Sequence, residues 1–247
     1  MFGMLFFKLS TYLPKYLPTH PPMLTLLYRR FAQWYPELLQ CVFSVCTPFV
    51  PVNNVYYSKE QIAQIVPSLA YQVQLAGTEV DEAVVGRDKI GALLRAMYGG
   101  AREDRQAVFD VATGVNLDLL EADKIGPSPL LSKEEMDYYV DEYVPNGMRG
   151  PLCWYKTARV NFDEERTLLE EGKVKVTMPA LFIAASRDDA LPPAMAAGMG
   201  QFCTDLVQKE VDSNHWALWE AAADTNRYIV EFLEPLLKGQ QPLKASI

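Results

Sequence analysis

One carboxylic acid and one imidazole each follow directly on a predicted buried strand in the last quarter of the chain. Asp188 follows the apolar run PALFIAAS, and His215 follows the more polar run LVQKEVD. Because the carboxyl ends of parallel strands meet at one edge of a sheet, we expect the two side chains to lie together. A carboxylate bonded to one ring nitrogen fixes the imidazole tautomer and leaves the other nitrogen as a base. The residues alone equally allow a structural interpretation, in which Asp188 caps a turn and His215 caps the last helix.

The elements that must position this pair alternate between strands and helices. Residues 24–36 resemble the end of a helix, and residues 40–46 form a short apolar run typical of a buried parallel strand. Residues 192–203 predict a helix that starts at proline, and residues 216–237 predict a final helix with an apolar stripe at helical spacing. This alternation predicts parallel strands joined by right-handed crossovers.

The middle of the chain, from residue 58 to about residue 165, has a helical pattern. Ser58 and Ser132 each stand three residues before a Gln or Glu, which is the spacing of a capping box. Asp81 can cap a helix that runs to Tyr98, where two glycines end it. This block contains no convincing strand, so we expect a helical insertion.

Composition narrows the possible function classes. The 247 residues are 49% hydrophobic and 22% charged, as in ordinary globular proteins, and the formal net charge of −8 disfavours a nucleic-acid partner. Four cysteines without a Cys-x-x-Cys pair and two histidines give little support to a zinc site, so we expect neither metal nor cofactor. Reduced thiols predict a cytoplasmic location.

The first 36 residues contain four basic residues and no acidic one. Their apolar run, residues 1–7, ends at Lys8, far short of the ~20 residues that a membrane span needs. It is not followed by an A-x-A-like cleavage site, so we expect neither a membrane span nor a signal peptide.

Four strings, in this order, resemble the soluble epoxide hydrolase family of α/β-hydrolases: QCVFSVCTPFVPVN, NGMRGPLCWYKTARVN, PALFIAASRDDALPP and DSNHWALWE. The resemblance covers about residues 24–237. It implies a partial α/β-hydrolase fold, with a parallel sheet, flanking helices and a helical cap, and without the N-terminal strands of the family. We therefore expect an irregular non-family segment at residues 1–23, a core at residues 24–50 and 166–240, and a cap at residues 51–165.

The resemblance also implies a role for each matched residue. Tyr155, with Tyr71 less distinctly, matches the cap tyrosines that bind the epoxide oxygen, although the chain has 13 tyrosines and most tyrosines simply pack. Asp188 matches the acid that orients the base His215, and Asp189 is the less favoured alternative in register. Phenols, with an ordinary pKa of about 10, stay neutral and donate hydrogen bonds that strengthen as an alkoxide develops. The substrate, a small-molecule epoxide, is expected to contact Trp154, Trp216, Phe49 and Pro48.

One part of the family pattern is missing from the sequence. The family attacks the epoxide with an aspartate on a Gly-x-Asp-x-Gly-like elbow before the first helix, but residues 18–30 contain neither Gly nor Asp. The upstream HG-x-P segment is also absent. Without a carboxylate nucleophile no ester forms for His215 to hydrolyse, so we expect a truncated and inactive chain. The strand at residues 40–46 would then have an open edge, through which the chain could self-associate.

Two alternatives stay open. A haloalkane dehalogenase-like hydrolase uses the same aspartate and histidine chemistry on this fold, but it would not need Tyr71 and Tyr155. A non-catalytic fragment would instead pair with a partner chain through its open strand edge.

Overall fold

The computed structural model describes residues 3–7 and 24–238 of the chain. The strands are β1 (Gly3–Phe7), β2 (Leu39–Val45), β3 (Phe109–Asp110), β4 (Gly114–Val115), β5 (Ala180–Ala185) and β6 (Leu206–Val211). The α-helices are α1 (Leu24–Trp34), α2 (Lys59–Ile65), α3 (Tyr71–Ala76), α4 (Glu79–Ala83), α5 (Gly86–Met97), α6 (Lys133–Tyr143), α7 (Arg149–Lys156), α8 (Ala158–Glu170), α9 (Ala217–Glu220) and α10 (Ala222–Leu237).

The chain divides into two compact units. We call residues 1–54 with 163–247 the sheet unit, and residues 55–162 the helical unit. The interpretation of the helical unit as a cap domain stays a prediction. Among the described residues, no helix is long and apolar enough to cross a bilayer.

The sheet unit contains a four-stranded sheet in the order β1-β2-β5-β6, in which β2, β5 and β6 run parallel. All six residues of the inner strand β5 are buried, whereas β6 mixes buried and exposed positions. A strand covered on both faces must be apolar throughout, which explains the continuous run at β5. The predicted parallel sheet with flanking helices is confirmed.

Strand β1 departs from the expected irregular N-terminal segment. It pairs antiparallel with β2, from Gly3 opposite Ser44 to Phe7 opposite Leu39, with a register shift after Phe6. The prolines of the segment all come after residue 13, so they remove no backbone donor from β1. The β2 edge, which we expected to be open, is therefore filled by β1. The remaining residues of the segment, 8–23, lie outside the described part of the chain.

Two hydrophobic clusters cover the two faces of the sheet. Val42 and Phe182 belong to one cluster, together with Ala32 of α1. Phe43 and Ile183 belong to the other, which includes residues of α10. Neighbouring residues of one strand thus enter opposite clusters, as the two-residue period of a β-strand requires.

Arg29 joins separate segments of the sheet unit. Its guanidinium, which is buried, donates to the carbonyl of Val50 at 2.8 Å and forms an ion pair with Glu165 of α8. It also lies over the ring of Phe49, 6.0 Å from the centroid. A buried ion pair of this kind is costly to break, because removing one partner leaves the other charge without compensation.

The helical unit confirms both predicted capping boxes, at Ser58 and at Ser132. Helix α5 also ends just before Gly99, whose φ of +84° suits glycine. Asp81 does not cap that helix, because it lies inside the short helix α4, and α5 begins separately at Gly86.

We expected no strand in the helical unit, but β3 and β4 form a small antiparallel hairpin. Gly114 has a φ of +88°, and the side chain of Gln74 both donates to and accepts from the backbone of Val115. Strands of two residues are too short to give an alternating pattern, so the sequence contained no signal for them.

The helix predicted at residues 192–203 is replaced by two short 3-10 helices, Pro193–Ala196 and Met199–Gln201. Gly198 lies between the two 3-10 helices, and Gly200 lies within the second one. Glycine destabilises a helix interior by about 1 kcal/mol relative to alanine, so two of them work against a continuous helix.

Shortening the side chain at the centre of the sheet should destabilise the protein. Ile183 is fully buried, and Ile183→Ala should lower the free energy of unfolding by about 2–5 kcal/mol, through lost burial and the remaining cavity. Urea unfolding followed by circular dichroism would measure this. Val230 of α10 is 59% exposed, so Val230→Ala should change the free energy by less than about 0.5 kcal/mol. Equal effects of the two substitutions would contradict this view of the core.

Candidate functional site

The structure brings Asp188 and His215 together at one edge of the sheet. Asp188 lies in the turn after β5, and His215 lies in the turn after β6. Because these strands are parallel neighbours, both turns leave the sheet at the same edge. His215 Nδ1 lies 2.8 Å from Asp188 Oδ2.

Both oxygens of the Asp188 carboxylate are engaged. Oδ1 accepts hydrogen bonds from the backbone N–H groups of Ala190 and Leu191, at 2.9 and 2.8 Å, while Oδ2 faces the imidazole. The side chain of Asp188 is fully buried, and that of His215 is 24% exposed. Asp189 is exposed and takes no part in the pair. Asp188 therefore caps its turn with one oxygen and contacts the histidine with the other.

In this arrangement Nδ1 of His215 is hydrogen-bonded to Asp188, and Nε2 can act as a base. A buried carboxylate accepts the hydrogen of Nδ1, so Nε2 carries the lone pair. The ring meets that of Trp216 edge to face at 5.5 Å between centroids, and Trp216 meets Trp219 in the same way. Such a histidine can take a proton from water, as a general base does.

The two turns are also tied to each other. The N–H of Arg187 donates to the carbonyl of Ser213 at 3.0 Å, and the Arg187 guanidinium forms an ion pair with Asp212. Glu220 accepts from the backbone and side-chain amides of Asn214, at 2.7 and 3.0 Å. These bonds fix the position from which the His215 side chain projects.

Cys46, which the sequence pattern did not single out, follows β2 at the same edge of the sheet as Asp188 and His215. It directly follows β2 with a φ of 65°, an uncommon value for a residue other than glycine, and it is buried. Burial and the nearby charge of Asp188 raise the pKa of its thiol to about 12. The one sequence feature that marks Cys46 is its position between the buried strand and Thr47-Pro48, where the chain leaves the sheet.

Tyr71 and Tyr155 meet in the helical unit. Tyr71 begins α3 and Tyr155 lies near the end of α7, and their rings contact edge to face at 6.1 Å between centroids. Burial, followed by the charge and the hydrogen bond of the Tyr71 hydroxyl, raises the pKa of Tyr155 well above its ordinary value. Tyr71 also contacts Phe109 of β3 at 5.6 Å. The two hydroxyl groups are therefore neighbours, and the raised pKa keeps that of Tyr155 protonated at neutral pH.

A lysine and a glutamine beside the tyrosines were missed by the sequence analysis. Lys59 Nζ donates to Gln72 Oε1 at 2.9 Å, and Gln72 Nε2 donates to the hydroxyl of Tyr71 at 3.5 Å. Lys59 Nζ also lies over the ring of Tyr155, 5.9 Å from its centroid. Burial lowers the pKa of Lys59. Lys59 stands in the first turn of a capped helix, where a lysine is ordinary, so its position in the sequence did not indicate a functional role.

The residues expected to line a substrate pocket differ in burial. Trp154 and Trp216 are half-buried, whereas Pro48 and Phe49 are buried. Phe49 is 4% exposed and packs against Phe202 at 6.0 Å between ring centroids, within a core cluster of the sheet unit. Core packing accounts for Phe49, so its role in substrate binding stays a prediction.

The described residues contain no group of three His, Cys, Asp or Glu side chains arranged to hold a metal ion. All four cysteines are free thiols; Cys41, Cys46 and Cys203 are buried, and Cys153 is exposed. Burial raises the pKa of Cys41 to about 11 and that of Cys203 to about 12.

Two relatives with similar sequences are both named epoxide hydrolases. The chain is 38% identical over 215 residues to "Epoxide hydrolase srdG" of Neurospora crassa, which covers 84% of this chain and 62% of that protein. It is 28% identical over 204 residues to "Bifunctional epoxide hydrolase 2" of Sus scrofa, which covers 82% of this chain and 36% of that protein. The chain thus spans less than two thirds of the length of these curated relatives. No protein-family profile matches it.

Solved structures show the same fold. Epoxide hydrolase A from Mycobacterium thermoresistibile superposes with a TM-score of 0.63 at 23% identity, over 85% of this chain and 66% of that one. An epoxide hydrolase from Vigna radiata superposes with a TM-score of 0.60 at 19% identity, over 85% of this chain and 65% of that one.

The imidazole tautomer offers a direct test of the acid and histidine pair. With Asp188 intact, His215 should carry its hydrogen on Nδ1. In Asp188→Asn the amide can donate to Nδ1, so the hydrogen should move to Nε2. Nitrogen-15 NMR of labelled histidine measures this at a pH where the ring is neutral, and the only other histidine is His20. An unchanged tautomer in Asp188→Asn would show that Asp188 does not set it.

Thiol reactivity should follow burial. At pH 8 the pKa values of Cys41, Cys46 and Cys203 keep those groups as unreactive thiols, while Cys153 is exposed. Iodoacetamide should therefore modify Cys153 alone in the folded protein, and all four cysteines in urea. Peptide mass spectrometry would identify the modified residues. Rapid labelling of Cys46 without urea would contradict the closed packing around it.

Proposed function

Because this chain is homologous to the epoxide hydrolases and has a partial α/β-hydrolase fold, we propose that the whole protein hydrolyses a small-molecule epoxide to a vicinal diol. The observation that carries this proposal is the hydrogen-bonded pair of phenols, Tyr71 and Tyr155. Their hydroxyl groups suit an oxygen that gains negative charge as its bond to carbon breaks. We assign Asp188 and His215 to the activation of water.

The proposed reaction has two steps. A carboxylate attacks one epoxide carbon, the ring C–O bond breaks, and the alkoxide takes a proton from one tyrosine. Water then adds to the resulting ester while His215 Nε2 accepts its proton, and Asp188 stabilises the imidazolium. The ester C–O bond breaks, the leaving oxygen takes that proton back, and the released carboxylic acid supplies the proton that restores the tyrosine.

The two phenols suit this role because phenols, with an ordinary pKa of about 10, are protonated at neutral pH before the epoxide opens. The raised pKa of Tyr155 keeps it a hydrogen-bond donor throughout the neutral pH range. A neutral donor does not repel the electron-rich oxygen of the bound epoxide, and its hydrogen bond strengthens as that oxygen becomes an alkoxide. Catalysis by such a pair comes from binding the transition state more tightly than the substrate.

We assign no residue of this chain as the nucleophile. Residues 18–30, which precede and begin α1, contain no Gly-x-Asp-x-Gly-like elbow. Our proposal is therefore that these 247 residues supply the water-activating and oxygen-binding groups, and that they do not turn over an epoxide by themselves.

The other candidate functions have less support. A dehalogenase would not require two adjacent phenols, and a fragment that binds partners through its strand edge is less favoured because β1 occupies the edge of β2. The free thiols support a cytoplasmic location as part of the proposal.

A chimaera tests the proposed function. Residues 1–23 would be replaced by the part of the Neurospora relative that precedes the matched region, which we expect to supply the strands and elbow of the family pattern. The chimaera should hydrolyse styrene oxide, His215→Ala should abolish turnover, and Tyr155→Phe should lower kcat by about a hundredfold.

The unaltered 247-residue chain is the control and should be inactive. A chimaera that has native circular dichroism but no turnover would refute the proposed function. Turnover by the unaltered chain that His215→Ala removes would instead show that it already contains a nucleophile.

A further inference from the structure

The ammonium group of Lys59 lies close to both members of the tyrosine pair. It donates to the side-chain carbonyl of Gln72 at 2.9 Å, and the same amide donates through Nε2 to the hydroxyl of Tyr71 at 3.5 Å. Lys59 Nζ also lies over the ring of Tyr155, 5.9 Å from its centroid. Neither Lys59 nor Gln72 has a role in the reaction described above.

The Lys59–Gln72–Tyr71 chain of hydrogen bonds has a defined direction. Lysine can only donate, so it fixes the Gln72 amide with its oxygen towards the ammonium and its nitrogen towards Tyr71. The Tyr71 oxygen accepts this bond, which directs the hydrogen of its hydroxyl away from Gln72. The chain thus prepares Tyr71 to donate rather than to accept.

The charge of Lys59 is not neutralised by an ion pair with any residue that the structure describes. Within the described residues, no carboxylate lies within ion-pair distance of its ammonium. The adjacent carboxylate of Glu60 is exposed and accepts a hydrogen bond from the Ser58 hydroxyl at 2.6 Å. A partly buried, unpaired cation next to two phenols favours negative charge on any oxygen that those phenols bind.

We propose that Lys59 is a positioning residue, which holds Tyr71 in its donating orientation through Gln72 and makes the tyrosine pair selective for oxygens that carry or develop negative charge. This inference rests on the proposed function, because it assumes that the pair binds a ligand oxygen. It extends that function with a third group that the reaction scheme does not contain.

Two ligands of the same shape test the selectivity. Benzoate presents an anionic oxygen and benzamide a neutral one, and their dissociation constants can be measured on the 247-residue chain from the ring resonances of carbon-13-labelled tyrosine. The signals of the pair are assigned with Tyr71→Phe and Tyr155→Phe. Unaltered protein should prefer benzoate, and both Phe variants should weaken both ligands.

Removal of the charge should affect only the anionic ligand. Lys59→Met, of similar length, should weaken benzoate about tenfold and leave benzamide within about twofold, while Lys59→Arg should retain the preference for benzoate. Lys133→Met is the matched control, because Lys133 is an exposed lysine of the same unit. It should leave both dissociation constants unchanged.

The outcomes separate the two hypotheses. Equal loss of both ligands in Lys59→Met, or no loss of either, would overturn the role of Lys59 while leaving the tyrosine pair in place. Loss of benzoate in Lys59→Met without any effect of the Phe variants would also overturn it, since the lysine would then bind the carboxylate directly. Phe variants that leave benzamide binding unchanged would contradict the proposed function itself.

Discussion

The parallel pairing of β5 with β6 is the constraint on which the acid and histidine pair depends. Ala185 stands opposite Val211 at the ends of these strands, so the next residues of both strands leave the sheet side by side. The N–H of Ser186 donates to the carbonyl of Val211 at 3.0 Å and continues the ladder into the turns. A shift of register would carry Asp188 away from His215, and the apolar residues of β5 make such a shift costly because they fill both faces of the sheet.

The tyrosine pair depends on a different kind of support. Tyr71 and Tyr155 come from two short helices, and no regular ladder sets their separation. Their positions follow from local contacts: the ring of Phe109, the hydrogen bond of the Tyr71 N–H to Val111 at 3.0 Å, and the Lys59–Gln72 chain. The ends of two paired strands thus position the acid and histidine pair, whereas contacts between side chains position the two tyrosines.

This difference explains how much the sequence could predict. The acid and histidine pair was predictable because each residue follows a predicted strand, strongly apolar before Asp188 and more polar before His215, and parallel topology then brings the two strand ends together. The hairpin of β3 and β4, and the contact of Lys59 with Gln72, depend on tertiary neighbours that leave no periodic pattern. The strand β1 was missed because the prolines after residue 13 made the whole segment look irregular, although they do not affect residues 3–7.

Arg29 has a consequence for how this architecture tolerates change. Its two anchors, the carbonyl of Val50 and the carboxylate of Glu165, lie just before the chain leaves the sheet unit and just after it returns. The Arg29 guanidinium therefore binds both the segment at which the chain leaves the sheet unit and the segment at which it returns. Because both segments are held by one side chain, changes in the length of the chain between them should leave the alignment of the strands intact. A single buried side chain thereby holds together the two points at which the polypeptide leaves and re-enters the sheet unit.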